Sequence, residues 1–297
     1  MAQTPVRHET LRVSTEGLSA LRTSLTDPTA GMREEAVAEL AKSRKIELLA
    51  SFREEDPWVG RPVHLEKAMG ELEKGGEVMK CGVKLEIEGS GEQPEFRYGI
   101  EATLPAGGKK ARYFQMLGTS RKARAAGWVE RCCWSDGKEA VMLWEYATAG
   151  AKEEPQTRPA VHVEMRWFQA ADADVAKLGA SKPGTRGKAL QWIESRAKLC
   201  REAGYDLQCG QPAVWTMTEG RFDPAGGGSI SDDGLMVETK GVEERGRLKM
   251  EWKMTAMKGG EPDTSSLHAD LESGVWEFLP VKDNPEANVL ACRVTKL

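Results

Sequence analysis

Residues 81–89, Cys81-Gly82-Val83-Lys84-Leu85-Glu86-Ile87-Glu88-Gly89, alternate apolar and charged side chains between two glycines. Strict alternation puts every second side chain on one face, which is the period of a strand with one buried side. The same design returns at Asp233-Gly234-Leu235-Met236-Val237-Glu238-Thr239-Lys240-Gly241. The chain therefore reads as one unit written twice.

Correspondences on either side of these strands keep their order. Residues 6–13 are answered by residues 161–168, both alternating as strands do. A helical stretch follows each. In the first copy it spans 32–45, with Met32, Ala36, Val37, Leu40 and Ala41 on one face. In the second it spans 188–203, with Leu190, Ile193, Ala197 and Cys200, and Gly204 supplies a left-handed stop. Extended segments 46–52 and 62–66 match 205–209 and 213–218. Each deciding strand then meets a second one, 96–104 or 248–257, across a short polar connection suited to a hairpin. Residues 127–130 and 141–144 answer 274–278 and 289–294, and the offset stays at about 147 to 159 residues throughout.

These readings predict an α+β fold of two tandem repeats, 1–150 and 151–297, each a mostly antiparallel sheet with one or two packed helices. Residues 152–159, charged and carrying Pro155 and Pro159, are the expected linker. The length of 297 residues suits two domains of roughly 150. With 40% hydrophobic and 30% charged residues, wholesale disorder is excluded. No apolar run approaches the roughly 20 residues of a membrane-crossing helix, so no transmembrane helix is expected. The net charge of -4 removes the global electrostatic reason to expect binding to duplex nucleic acid.

Few residues suggest chemistry. His8, His64, His162 and His268 are far apart, none in metal-ligand or metalloprotease spacing, and structural roles are the default. Residues 225–229, Ala-Gly-Gly-Gly-Ser, lack the lysine of a phosphate-binding loop and read as a flexible connection. Asp232, Asp233, Glu243 and Glu244 read as solvated turn carboxylates, with a calcium site at Asp232, Asp233 and Glu243 as the sharper alternative. The tryptophans in or beside strands, among them Trp134, Trp167, Trp215 and Trp252, read as core packing or, alternatively, as a carbohydrate-stacking platform. A non-catalytic protein without cofactor or metal is expected.

Cys81, Cys132, Cys133, Cys200, Cys209 and Cys292 allow 15 pairings if all were oxidised. No CxxC pair occurs, and adjacent Cys132 and Cys133 point to opposite faces of a strand. Cys200 with Cys209 is the best disulfide candidate, across the short connection from a helix end to the next strand. The start Ala2-Gln3-Thr4-Pro5 is of the kind left after signal cleavage. A trimmed mature start implies the periplasm or cell envelope, and an original one the cytoplasm.

One charge feature stands out. Between Pro105 and Val129 there is no acidic residue, while Lys109, Lys110, Arg112, Arg121, Lys122 and Arg124 are basic, with Tyr113 and Phe114 among them. The equivalent stretch, 257–276, sets Lys258 against Glu261, Asp263, Asp270 and Glu272. Three readings compete: solvated loops, complementary docking within the chain or head-to-tail between chains, and an anionic ligand such as a lipid head group, a polyanionic glycan or single-stranded nucleic acid stacked on Tyr113 and Phe114.

Residues 205–221, Tyr-Asp-Leu-Gln-Cys-Gly-Gln-Pro-Ala-Val-Trp-Thr-Met-Thr-Glu-Gly-Arg, resemble the core of the bacterial secretins of type II and III secretion and type IV pili. There a "leucine, small, small, proline, valine" run meets "threonine, threonine, x, glycine, glutamine". The strand Gly234-Leu235-Met236-Val237-Glu238 is similar to the family's next strand, and residues 48–52, 60–66 and 82–87 echo the pattern in the first copy. The long amphipathic hairpin and the terminal glycine-rich strands of that family are not found. The resemblance implies a divergent, duplicated secretin-like protein of the bacterial envelope. Its expected partners are secretion or type IV pilus assembly proteins, or other copies of itself, met at exposed strand edges. The alternative is an anion- or glycan-binding module using residues 109–124.

Overall fold

A computed structural model describes residues 6–14, 42, 46–54, 63–74, 77–89, 95–105, 110–121, 127–135, 139–147, 159–180, 185–223, 228–259, 261–281 and 287–297. Among the described residues the first half of the chain contributes eight strands. They are β1 (Val6–Ser14), β2 (Ile46–Glu54), β3 (Val63–Lys74), β4 (Glu77–Gly89), β5 (Glu95–Pro105), β6 (Lys110–Arg121), β7 (Gly127–Ser135) and β8 (Glu139–Ala147). The second half contributes β9 (Ala160–Gln169), the helices α1 (Asp172–Gly179) and α2 (Arg186–Glu194), and then β10 (Lys198–Gln208) and β11 (Ala213–Asp223). It closes with β12 (Gly228–Glu244), β13 (Arg247–Lys258), β14 (Glu261–Leu271), β15 (Glu277–Pro280) and β16 (Val289–Lys296).

These strands form two eight-stranded sheets, ordered β15-β16-β9-β10-β7-β8-β1-β2 and β14-β13-β12-β11-β6-β5-β4-β3, hereafter sheets A and B. Every ladder is antiparallel. In each sheet the order repeats after four strands. The second half of the chain thus lies beside the first, related by a step across the sheet.

The expected α+β class is overturned. The protein is nearly all β, and its halves share two sheets instead of each building its own sheet with packed helices. The only helices of any length among the described residues, α1 and α2, lie against Phe168, Val289 and Ala291 of sheet A through Leu178, Ala189, Leu190 and Ile193. The helix expected over 188–203 ends at Glu194, and residues 198–203 are already strand. Gly204 is no helix stop. It sits mid-strand in β10, where a β-carbon would come within 2.8 Å of Glu130 Oε1, so it supplies space, not a left-handed turn. The first-copy helix over 32–45 lies outside the described residues except for Lys42, which is helical. The linker at 152–159 also falls outside them, apart from Pro159.

A ladder irregularity lies beside each of the two paired glycines Gly82 and Gly234. Gly82 pairs with Ala68 of β3, and the ladder slips between Ala68 and Gly70. Gly234 pairs with Thr218 of β11, and the ladder slips between Glu219 and Gly220. A β-carbon on Gly82 would lie 2.6 Å from the Lys67 carbonyl oxygen, and one on Gly234 would strike the Met217 carbonyl. Both glycines are therefore needed where a bulge pushes the neighbouring backbone inward. At the turn from β12 to β13, Arg245 and Gly246 both take positive φ, the geometry of a two-residue hairpin.

One core fills the space between the sheets and draws on both halves. Trp134 and Trp167 of sheet A meet Trp215 of sheet B with ring centroids 3.8 and 5.4 Å apart. Tyr205 of sheet A shares a 2.5 Å hydrogen bond with Thr239 Oγ1 of sheet B. Trp134, Trp144, Trp167, Trp215, Trp252 and Trp276 are buried, and these rings offer no surface to a sugar.

Replacing Gly82 or Gly234 with alanine is expected to cost about 1–3 kcal/mol of stability each, by forcing two backbones apart. Matching losses in urea midpoint would mark the two positions as equivalent, and an unchanged midpoint at either would contradict the assignment.

Candidate functional site

The two halves meet along a seam of two ladders. In sheet A, β10 runs against β7 through Glu202↔Ser135, Ala203↔Trp134, Gly204↔Cys133 and Tyr205↔Cys132. In sheet B, β11 runs against β6 from Val214↔Leu117 to Arg221↔Lys110.

Alternation along β9 sends Val161, Val163 and Met165 inward and His162, Glu164 and Arg166 to the outer face of sheet A. Across the seam this face carries a buried ionic row. Asp206 of β10 accepts a 3.0 Å hydrogen bond from Arg131 of β7 on one oxygen, and its other oxygen lies 2.9 Å from His162 Nδ1 of β9. Arg131, His162 and Asp206 are 3%, 4% and 2% exposed. Such a row tolerates burial only because each charge faces a partner. Burial alone would pull the His162 pKa down, but the hydrogen bond and charge of Asp206, with the charges of Glu164 and Glu130, raise it above its ordinary value. Next along the same face, Arg293 pairs with Glu164, and Arg166 pairs with Glu194 and Glu202 while stacking on Trp276.

The basic stretch takes a form the sequence did not suggest. Residues 110–121 are β6, an interior strand of sheet B, and not a solvated loop. Arg112 donates to Glu219 across the seam at 3.3 Å. Lys110 and Arg121 hold ladder positions opposite Arg221 and Glu95. Lys109, Lys122 and Arg124 lie outside the described residues. Phe114 is buried, and Tyr113 is half-buried, its pKa raised to about 12 by burial and then by Glu101, so the two rings form no stacking platform. Within the chain β6 does not dock on the acidic β14, because β11, β12 and β13 separate the two strands.

The disulfide expectation fails on geometry. Cys200 lies near the start of β10 and Cys209 just beyond its end, nine residues along one extended strand and so about 30 Å apart. None of the six cysteines is joined in a disulfide. Burial pushes the Cys292 thiol up to about 12 against a smaller opposing effect of Arg186, and raises Cys81, Cys132 and Cys209 too. Asp232 and Asp233 lie within β12, not in a turn, and no group of three or more metal-ligating side chains occurs among the described residues. His64 pairs with Glu86 at 3.0 Å at an open groove with Arg97, Gly99, Leu117 and Gln211.

The remaining candidate surface is the set of outermost strands, β2 and β15 in sheet A and β3 and β14 in sheet B. No helix among the described residues is long and apolar enough to cross a membrane. Comparison with protein-family models, with curated proteins and with solved structures finds no match.

Exchanging Asp206→Asn removes the carboxylate facing buried Arg131 and is expected to cost about 3–5 kcal/mol. Because folding raises the His162 pKa, its contribution is complete below about 6.5 and is lost as pH rises through the raised value. Urea midpoints across that range should therefore show a fall that His162→Gln abolishes, and identical pH profiles for the two proteins would contradict the pairing.

Proposed function

We propose that the chain is a non-catalytic interaction module that works through its open strand edges. One observation carries this reading: the two halves are themselves joined by edge-to-edge pairing in both sheets, and among the described residues no further strand pairs with the outermost strand at either end. A strand edge presents unpaired backbone N–H and C=O groups and recruits extended segments by β-augmentation. Leu48 of β2, an exposed apolar side chain on such an edge, supports it further.

The secretin-like residues at 205–221 and 234–238 extend the proposal to a setting, the bacterial envelope, with secretion or type IV pilus assembly proteins as partners. The anion-binding alternative has no comparable support, since the centre of its basic stretch is strand β6.

A photo-crosslinking residue placed in the host cell at Leu48 or Thr264, both exposed on edge strands, should trap protein partners. One placed at Glu251, exposed on the interior strand β13, should trap few. Equal yields at all three positions would overturn the edge reading, and partners drawn only from soluble metabolic enzymes would remove the envelope setting.

A further inference from the structure

Gly82 and Gly234 hold equivalent places in β4 and β12, and the ladders carry that equivalence across sheet B. From Gly82 they run to Thr103, Tyr113 and then Thr218, where the first half meets the second. From Gly234 they run to Met257 and Pro262 and stop there, because β14 has no ladder on its far side among the described residues. Pro262 is therefore the counterpart of Tyr113. On the other flank, Gly82 pairs with Ala68 of β3 as Gly234 pairs with Thr218 of β11, so Ala68 is the counterpart of Thr218. Sheet B thus ends on one side in the counterpart of β6 and on the other in the counterpart of β11, the two strands that its own seam joins.

Sheet A ends in the same way. Its seam joins β7 to β10, and its outermost strands β15 and β2 hold the places of β7 and β10 in the repeated order. The step that relates the halves, taken once more, would carry β3 of a second copy onto β14 and its β2 onto β15 together. A joint between unlike surfaces leaves one of each unused at the ends of a pair, and it continues into a ring or a filament.

The internal seam also gives the register of this joint. Tyr113 opposite Thr218 becomes Pro262 opposite Ala68 of the second copy. Antiparallel pairing then sets Asp263 opposite Lys67, Thr264 opposite Glu66, Ser265 opposite Leu65, Ser266 opposite His64 and Leu267 opposite Val63. Asp263 and Lys67 are both exposed and in no ion pair among the described residues, and opposite charges facing across a ladder stabilise it. None of these pairs sets like charges together, whereas the seam itself holds Lys110 opposite Arg221. Pro262 lacks an N–H and β15 has only four residues, so the joint is weaker than the seam and forms reversibly.

We propose that the chain adds copies of itself head to tail, β14 and β15 of one copy receiving β3 and β2 of the next, with Asp263 facing Lys67. This rests on the interaction reading above and names a second copy as the occupant of these edges.

Sedimentation velocity of the full chain, from dilute solution to the highest concentration it allows, should show a series of species that grows one chain at a time. A single monomer size throughout would overturn the proposal, while foreign proteins crosslinked at Leu48 or Thr264 would leave the broader interaction reading standing. The Asp263→Lys and Lys67→Asp chains, each altered at an exposed position, should keep the circular dichroism and thermal midpoint of the original and associate about tenfold more weakly. Mixed in equal amounts they should recover, because every joint between unlike copies again sets a lysine against an aspartate. No recovery on mixing would overturn the register. A loss confined to the Asp263→Lys chain, as a symmetric pairing of β14 with β14 would give, would overturn the head-to-tail joint.

Discussion

A strand inside a sheet must satisfy backbone hydrogen bonds on both of its sides, and the fold of this chain follows from how that demand is met at the seam. Each half taken alone would present two four-stranded sheets and therefore four strand edges. Side by side, with β10 on β7 and β11 on β6, the halves close four of the eight, and the other four have no ladder among the described residues. The step between the halves is the same in both sheets, so the layers stay parallel across the seam and a single core forms between them. Trp134, Trp167 and Trp215 pack where the halves meet, which ties the burial of the largest side chains to the ladder that brings them together.

The outer face of sheet A shows what fixes the register of that ladder. Apolar side chains would tolerate several alignments of β10 on β7, but Asp206 needs Arg131 on one side and His162 on the other. A slip of one residue would move Asp206 to the core face and leave Arg131 and His162 without their carboxylate. Burying these charges gains little net stability, and their value lies in excluding other arrangements. The same logic operates more weakly at the partly exposed Arg112–Glu219 pair, which marks the alignment of β11 on β6. Charge thus helps to fix the alignment of edge pairing inside the molecule.

Much of the repeat was legible because it depends on local pattern. The alternation of residues 81–89 and 233–241 became β4 and β12, and their glycines sit beside ladder irregularities whose extra residue is Met69 of β3 in the first half and Asp232 of β12 in the second. The two strands missed, β6 and β14, have other reasons for silence. In β6 the inward residues Phe114, Met116 and Gly118 are flanked by basic ends that read as loop, and in β14 the inward positions are Ser265, Leu267 and Ala269, too small and polar to mark a buried side. The helix over 188–203 was drawn too long because Leu190, Ile193, Ala197 and Cys200 keep helical spacing across a turn that ends α2. The ionic row had no local signal at all. His162, Asp206 and Arg131 come from three strands and both halves, and alternation by itself assigns their side of β9 and β10 to solvent.

Amide hydrogen exchange on the folded chain addresses the seam most directly. If β6, β7, β10 and β11 are interior strands of two continuous sheets, their paired amides should exchange as slowly as those of β5 and β12, and far more slowly than those of the outermost β2 and β14. Exchange along Ala203–Tyr205 and Val214–Thr218 as fast as at the outer edges would show that the halves are not joined there, and the account of the fold would fail with it.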